Sequence, residues 1–162
     1  MNLFRGEEAR DHRLAGFGVR FLLSGDHTAG RFALVEHPLG PHALAAPLHR
    51  HTREDEYSLV LSGRIGAELG TEVVFAEPGD LIRKPAGQWH TFWNASDGPA
   101  RVLEIIAPAG FEGYFEELFT QLATGEPDLA AVTELGHRYG VEFDFTSLPR
   151  LLSQHGASLG QP

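Results

Sequence analysis

The chain has 162 residues, which suits one domain, and its 42% hydrophobic and 22% charged residues are the balance of a folded globular protein rather than a disordered chain. Its formal net charge of -9 argues against a nucleic-acid partner, because a surface that binds phosphates needs positive charge. The complete absence of cysteine excludes disulfides, thiolate zinc sites and cysteine nucleophiles.

The first two thirds of the chain consist mainly of predicted short strands. The first 15 residues are polar and have no clear period. From Gly18 to about Arg101, segments rich in β-branched and aromatic residues alternate with Gly, Pro, Asp and Ser. In chain order we predict strands over residues 19–23, 31–37, 56–61, 71–76, 90–94 and 100–107. Short strands at this spacing are typical of a sandwich or barrel and not of alternating βαβ units.

After residue 110 the pattern changes to a helical period. Apolar residues recur at helical spacing at Phe111, Tyr114, Phe115, Leu118, Phe119 and Leu122. Gly125 and Pro127 are expected to end this helix, and a second, weaker helix is predicted over residues 128–139 before Gly140. The predicted fold is therefore an all-β barrel with a short helical C-terminal tail. We divide the chain into an N-terminal arm (1–17), the barrel (18–108), C-terminal helices packing on the barrel (109–145) and a partly flexible tail (146–162).

Four side chains that commonly bind metals lie in the predicted strand regions, namely His49, His51, Glu56 and His90. His49 and His51 are two residues apart, so on one strand both imidazoles leave the same face. Glu56 is an odd number of residues from His51 and would point the other way in an unbroken strand. The polar residues 52–55 supply a turn or bulge that resets this alternation. If the interior face also carries His90, three imidazoles and one carboxylate meet in the barrel.

These four residues belong to two longer motifs. The first motif is His49-x-His51-x4-Glu56-x6-Gly63, and the second is Gly79-x5-Pro85-x-Gly87-x2-His90-x3-Asn94, with 15 residues between them. Together they resemble the paired motifs of the cupin superfamily over about residues 18–108. In one departure from the family pattern, Ala43 stands where a glycine usually precedes the first histidine by six residues.

The resemblance implies a double-stranded β-helix, which is a small jelly-roll barrel. It also implies one divalent transition metal ion per chain, held by His49, His51, Glu56 and His90. Mixed nitrogen and oxygen ligands suit Fe, Mn, Co, Ni, Cu or Zn and do not select among them. The C-terminal segments AGFEGYFEEL and HRYGVEF resemble, less specifically, bacterial single-domain cupins similar to quercetin 2,3-dioxygenase.

Strand alternation also predicts the surroundings of the site. Ser58, Val60 and Phe92 share the inward face with the ligands, where they either line a substrate pocket or pack in the core. The helical residues Phe111, Phe115 and Leu118 are expected to pack against the barrel, with capping of the barrel mouth as the alternative. The six remaining histidines are expected to be ordinary core or surface residues: His12, His27, His37, His42, His137 and His155.

Three further carboxylates lie near the motifs. Glu54 and Asp55 are expected to be solvated turn residues, although either replaces Glu56 as a ligand if the bulge falls differently. Glu104 is expected on the outward face or at a strand end, and an inward Glu104 would be a second acid or base.

The leading hypothesis is a metal-dependent dioxygenase whose small phenolic or enolisable substrate binds the metal. Glu56 is then both a metal ligand and the catalytic residue that accepts a proton as general base. The alternatives are a redox-neutral Lewis-acid cupin (isomerase, cyclase or lyase) and a non-catalytic ligand-binding cupin. No phosphate-binding loop supports a nucleotide-dependent reaction.

Location and assembly are inferred from apolar patterns. No apolar run has the length of a membrane span, and MNLFRGEEAR lacks the apolar core of a signal peptide, so we expect a cytoplasmic protein without a membrane partner. Large side chains on the face opposite the ligands need cover from another sheet, the C-terminal helices or a second subunit, namely Tyr57, Leu59, Leu61, Trp89 and Trp93. Because the resemblance is to small cupins, which commonly pair, a homodimer is expected. The GxSxG pattern at 156–160 lacks later catalytic partners and is interpreted as a tail.

Overall fold

The computed structural model describes residues 3–5, 9–14, 16–123, 125 and 128–159. Two positions named above lie outside these residues: Pro127, a predicted helix terminator, and Gly160, which ends the GxSxG pattern. Within the described part of the chain, eleven strands form two antiparallel sheets, accompanied by four α-helices. None of the helices seen there is long and apolar enough to cross a membrane.

The two sheets make a β-barrel of the jelly-roll kind. The strands are β1 (Arg10–Leu14), β2 (Phe17–Leu23), β3 (Ala33–Leu39), β4 (Leu48–His51), β5 (Asp55–Ser62), β6 (Ile65–Leu69), β7 (Glu72–Ala76), β8 (Leu81–Lys84), β9 (His90–Asn94), β10 (Ala100–Ala107) and β11 (Val141–Asp144). The six-stranded sheet has the order β1-β2-β3-β10-β5-β8 and the five-stranded sheet has the order β11-β4-β9-β6-β7. This arrangement confirms the predicted all-β, double-stranded β-helix fold.

The helices follow or interrupt the strands. They are α1 (Gly25–Thr28), α2 (Glu112–Leu122), α3 (Leu129–Tyr139) and α4 (Leu148–His155), with a 3-10 turn at Phe145–Ser147. The side chain of Asp128 caps the start of α3 by accepting a hydrogen bond from the Ala130 amide (2.9 Å). Gly140 ends α3 in the left-handed conformation (φ 75°), as its predicted role as a stop requires.

All six predicted strands are present. Of the other five, β4 was anticipated only through the argument that His49 and His51 share a strand face, and β1, β6, β8 and β11 were not predicted as strands. The five residues of β1 pair with β2, in the segment expected to be an arm without a regular period. Its side chains are exposed or half-buried, so the sequence carries no apolar alternation there. In β6, the Trp93 indole packs against the backbone of Gly66, where a Cβ would overlap the ring. A glycine is therefore needed at this position, and it weakens the strand pattern in the sequence.

The C-terminal segment also contains more regular structure than expected. β11 lies in the part assigned to helices, and α4 lies in the part expected to be a polar tail. Leu151 of α4 is fully buried and packs in one cluster with Leu44 and Trp93. The His155 ring stacks on Trp93 with a centroid distance of 4.1 Å. Helix α4 therefore covers Trp93, one of the large side chains whose need for cover suggested a second subunit. The homodimer stays a prediction.

Candidate metal centre

Strands of both sheets bring the four predicted ligands together, the histidines from the five-stranded sheet and Glu56 from the six-stranded sheet. In β4 the buried residues alternate, so His49 and His51 both point inward. His49 pairs across strands with His90 of β9. Residues 52–54 interrupt the strand pattern, and β5 then begins with Glu56 on the inward face. One ligand atom from each of the four buried side chains lies within 4.8 Å of the others.

Backbone carbonyls orient two of the imidazoles. Nδ1 of His49 donates a hydrogen bond to the Pro47 carbonyl (2.8 Å), and Nδ1 of His90 donates to the Gln88 carbonyl (2.9 Å). A proton on Nδ1 leaves the Nε2 lone pair of each ring free to bind a metal. Nε2 of His51 and Nε2 of His90 are buried and have no hydrogen-bond partner among the described residues. Buried nitrogens without partners are costly, so this donor set fits a divalent transition metal ion.

The electrostatics of the ligands also suit a cation. Burial, reinforced by neighbouring imidazoles, holds the pKa of His49 well below its usual value, and burial lowers the pKa of His90 as well. Both rings are therefore neutral, as metal ligands must be. Burial alone would raise the pKa of Glu56, but His51 and Lys84 outweigh it and hold this pKa well below 4.5. Glu56 is thus a carboxylate with negative charge to offer.

Glu54 and Asp55 do not behave as two solvated turn residues. Glu54 is only 4% exposed, and its Oε2 lies 3.6 Å from Nδ1 of His51, on the side of the ring away from Nε2. Asp55 is half-buried and accepts a hydrogen bond from the Ala86 amide (2.8 Å), outside the ligand group. The expectation for Glu54 was wrong because the interrupted segment turns this carboxylate in behind His51. The contact is longer than a hydrogen bond, so it places a carboxylate beside the ring without bonding it.

Glu104 was expected to face outward, and this expectation was wrong. The alternation of β10 buries it together with Val102 and Ile106, and it is 1% exposed. Its Oε2 accepts hydrogen bonds from Ser58 Oγ (2.8 Å) and Lys84 Nζ (2.9 Å). Burial raises the pKa of Glu104 to about 7, although Lys84 opposes this shift. Glu104 therefore points inward, as the alternative expectation stated, where it would be a second acid or base.

Sequence reasoning did not single out Lys84. This residue ends β8, where it pairs with Glu56 of β5, and it is 1% exposed. Its Nζ lies 3.0 Å from Glu56 Oε2. Burial would lower the pKa of Lys84, but Glu104 and Glu56 together outweigh burial and raise it. The alternation with buried Ile82 in β8 was the available signal, but β8 was not predicted as a strand.

A cavity of about 280 Å³ opens beside the ligands. Its wall includes His49, His51, Glu56 and Glu104, together with a largely aromatic and aliphatic lining: Phe17, Phe92, Phe111, Tyr114, Phe115, Leu118, Phe119, Leu122 and Phe143. Helix α2 thus covers the cavity. Phe111, Phe115 and Leu118 pack in the hydrophobic core as expected, and they also line the cavity, which agrees with the capping alternative. The Phe111 ring lies edge-on to His51 with centroids 4.3 Å apart. Amphipathic spacing shows that a face is buried but not that a cavity lies beneath it.

The predicted pocket residues divide into two groups. Phe92 lines the cavity. Ser58 does not line it, because its hydroxyl is bound to Glu104, and Val60 packs in the hydrophobic core with Ile82 and Val102 instead. Strand alternation therefore predicted correctly that these side chains point inward, but it did not determine which of them reach the cavity.

His37 is a cavity residue that the sequence analysis treated as an ordinary histidine. It is buried on the cavity wall and its Nδ1 donates a hydrogen bond to the Gly18 carbonyl (3.1 Å). Burial lowers its pKa to about 4, outweighing the opposing effect of the Gly18 carbonyl. His37 is therefore a neutral ring on the cavity wall. Only the even spacing from Val35 and Leu39 in β3 indicated its inward direction.

Comparison with known proteins agrees with this fold. Residues 36–106 match the family model described as the cupin domain. No curated protein matches the sequence. The structure is similar to KdgF from Halomonas sp., with a TM-score of 0.62 and 18% identity, covering 70% of this chain and 98% of that chain.

Two other solved structures are similar. Streptomyces PAC13 with uridine has a TM-score of 0.56 and 20% identity, covering 68% of this chain and 84% of that chain; Pac13 is described as a nucleoside dehydratase. A predicted oxalate decarboxylase from Thermotoga maritima has a TM-score of 0.59 and 22% identity, covering 65% of this chain and 98% of that chain. At these identities the likenesses show the fold alone: a cupin fold that carries a candidate metal site. They do not confirm a quercetin dioxygenase-like specificity.

Proposed function

We propose that this cupin-fold chain is a metal-dependent dioxygenase acting on a small, largely apolar phenolic or enolic molecule. The observation that carries the proposal is an aromatic cavity whose wall includes His49, His51 and Glu56, three members of the four-residue ligand group. The proposed cofactor is one divalent transition metal ion per chain, held by His49, His51, Glu56 and His90. When bound, the metal supplies a Lewis acid and, if it is redox-active, a means of activating dioxygen.

The cavity lining supports the proposed substrate class. Among the described lining residues there is no Arg or Lys, so a phosphate or a dicarboxylate finds no counter-charge there. The volume of about 280 Å³ is close to the lower end of the range for ligand pockets, about 300 to 1,000 Å³. A small ring system with one acidic oxygen directed at the ligand group satisfies both conditions.

The chain's own residues bind the substrate and move its proton. Phe92, Phe111 and Phe115 hold the apolar part of the molecule and exclude water from the ligand group. The carboxylate of Glu56 accepts the proton of the substrate hydroxyl, and the electron pair of the broken O–H bond stays on the substrate oxygen. His37, which is neutral, offers a hydrogen-bonding edge to a second polar group of the substrate.

Oxygen uptake by metal-loaded protein tests this proposal. The metal-free protein is loaded separately with Fe, Mn, Co, Ni, Cu and Zn and supplied with flavonols, catechols and related enols in air. We expect substrate-dependent oxygen consumption with a redox-active metal and little with zinc, and Glu56→Gln should bind metal yet turn over far more slowly. Metal-loaded protein that consumes no oxygen with any of these compounds contradicts the dioxygenase proposal.

A redox-neutral Lewis-acid enzyme is the second candidate. The buried Glu104, bound to Lys84 behind Glu56, is a second proton-handling group that isomerisation or elimination would use. A nucleoside dehydratase on a similar fold fits this class of chemistry. Product formation that is unchanged without oxygen and retained with zinc would favour this candidate. Tight ligand binding without any product would instead indicate a non-catalytic ligand-binding cupin.

A further inference from the structure

A chain of buried charged groups continues behind the metal ligand Glu56. Lys84 Nζ lies 3.0 Å from Glu56 Oε2 and 2.9 Å from Glu104 Oε2, so one ammonium group bridges two carboxylates. Ser58 Oγ donates a third contact, to Glu104 Oε2 (2.8 Å). Strand register fixes this order, because Lys84 pairs with Glu56 and Ser58 pairs with Glu104.

Stability alone does not account for this arrangement. Removing two charges from water is costly, and well-packed apolar residues often stabilise a protein as well as a buried ion pair does. Lys84 is also placed where it opposes the proposed cofactor. A positive charge one hydrogen bond away from a ligand carboxylate lowers the attraction of that carboxylate for a metal cation.

We propose that Lys84, held in place by Glu104, occupies one oxygen of Glu56 and so keeps Glu56 a weak metal ligand through its other oxygen. Lys84 is a positioning residue in this proposal, which deepens the proposed function and rests on its metal centre. Both oxygens of Glu56 face the ligand group: Oε1 lies 3.3 Å from His51 Nε2 and Oε2 lies 3.2 Å from His90 Nε2. Lys84 competes with the metal for Oε2, so Oε1 is the oxygen that Lys84 leaves free.

The weak attachment gives Glu56 its second role. As the substrate O–H bond breaks, the proton passes to Glu56 Oε1 and the electron pair remains on the substrate oxygen. The protonated Glu56 stays in position, because Lys84 still donates a hydrogen bond to Oε2. Without Lys84, both oxygens of Glu56 are free to bind the metal, and Glu56 becomes a tighter ligand and a poorer proton acceptor.

Two variants with opposite expected effects test the proposal. Lys84→Met combined with Glu104→Gln removes the ion pair without changing net charge, and the amide carbonyl introduced at position 104 still accepts from Ser58. In competition with a chelator, this double variant should bind Co²⁺ about tenfold more tightly than the wild type does. Changes to residues that contact metal ligands commonly alter metal affinity by about this much. Its visible Co²⁺ absorption should shift as a second carboxylate oxygen binds. Glu104→Gln alone, in mildly alkaline buffer, leaves Lys84 to pair only with Glu56 and should weaken Co²⁺ binding severalfold.

The matched control removes an exposed ion pair of the same kind. Arg64 Nε lies 3.1 Å from Glu77 Oε1 with both side chains about half exposed or more, and Arg64→Met combined with Glu77→Gln should leave Co²⁺ affinity and absorption unchanged. A double variant at Lys84 and Glu104 that is folded by circular dichroism but matches wild type in both readouts overturns the role of Lys84. If the double variant does not fold, an unchanged or tighter Co²⁺ affinity in Glu104→Gln overturns it. Folded wild-type protein that binds no Co²⁺ instead refutes the metal centre and the proposed function.

Discussion

Glu54 should raise metal affinity without contacting the metal. Glu54→Gln keeps the shape of the side chain and removes its charge from a point 3.6 Å behind His51 Nδ1. Because Glu54 is 4% exposed, water screens this charge little. Loss of a carboxylate behind a ligand histidine typically lowers metal affinity about 10- to 100-fold. The 3.6 Å contact is longer than a normal hydrogen bond, so we expect the lower end, about tenfold or about 1.4 kcal/mol.

Competition for Zn²⁺ against a chromophoric chelator measures this effect. The control is Asp55→Asn, which removes the adjacent carboxylate; Asp55 bonds the Ala86 amide and does not lie behind a ligand. Asp55→Asn should leave Zn²⁺ affinity within about twofold of wild type, well under the effect expected of a group behind a ligand. Equal affinities in wild type and Glu54→Gln, or equal losses in the two variants, would refute the reasoning that Glu54 acts through His51.

Three further predictions concern the core. His37 has a pKa of about 4 in the fold against 6.5 in a free histidine, so its contribution to stability is complete above pH 6.5 and is lost as the pH falls towards 4. In urea titrations of metal-free protein, His37→Gln should therefore reduce the rise in unfolding free energy across this pH window by about 3 kcal/mol. Leu151→Ala should lower the unfolding free energy by about 3 kcal/mol and the melting temperature by about 6 to 12 °C, with earlier exposure of Trp93 fluorescence. Phe111→Ala should cost about 3 kcal/mol and admit bulkier ligands beside His51, measured by melting and by ligand titration.

The ligand group was predictable because local rules place most of it. Two residues of spacing put His49 and His51 on one strand face, and the polar break before Glu56 restores its inward direction. Each of these inferences needs only residues within one short segment. His90 joined them through the resemblance to a known motif, which supplied the long-range pairing that spacing alone does not give.

The second layer of the site was not predictable in the same way. Lys84 and Glu104 meet only because β5 lies between β8 and β10, and strand order is a property of the whole sheet. Parity along β10 did contain the inward direction of Glu104, but an apolar environment made an outward carboxylate the simpler expectation. For Phe111 the helical period gave the buried face, while the cavity under that face depends on how α2 docks.

The β11 strand ties the ligand group to the end of the chain. Strand β4, which carries His49 and His51, shares a single paired position with β9 but four with β11. Phe143 of β11 pairs with His49, and Val141 pairs with His51. A fragment cut at the end of the barrel motif would leave β4 without β11, one of its two neighbours. Excising the barrel as a minimal metal-binding unit should therefore fail. Protein engineers should retain the chain at least through Asp144.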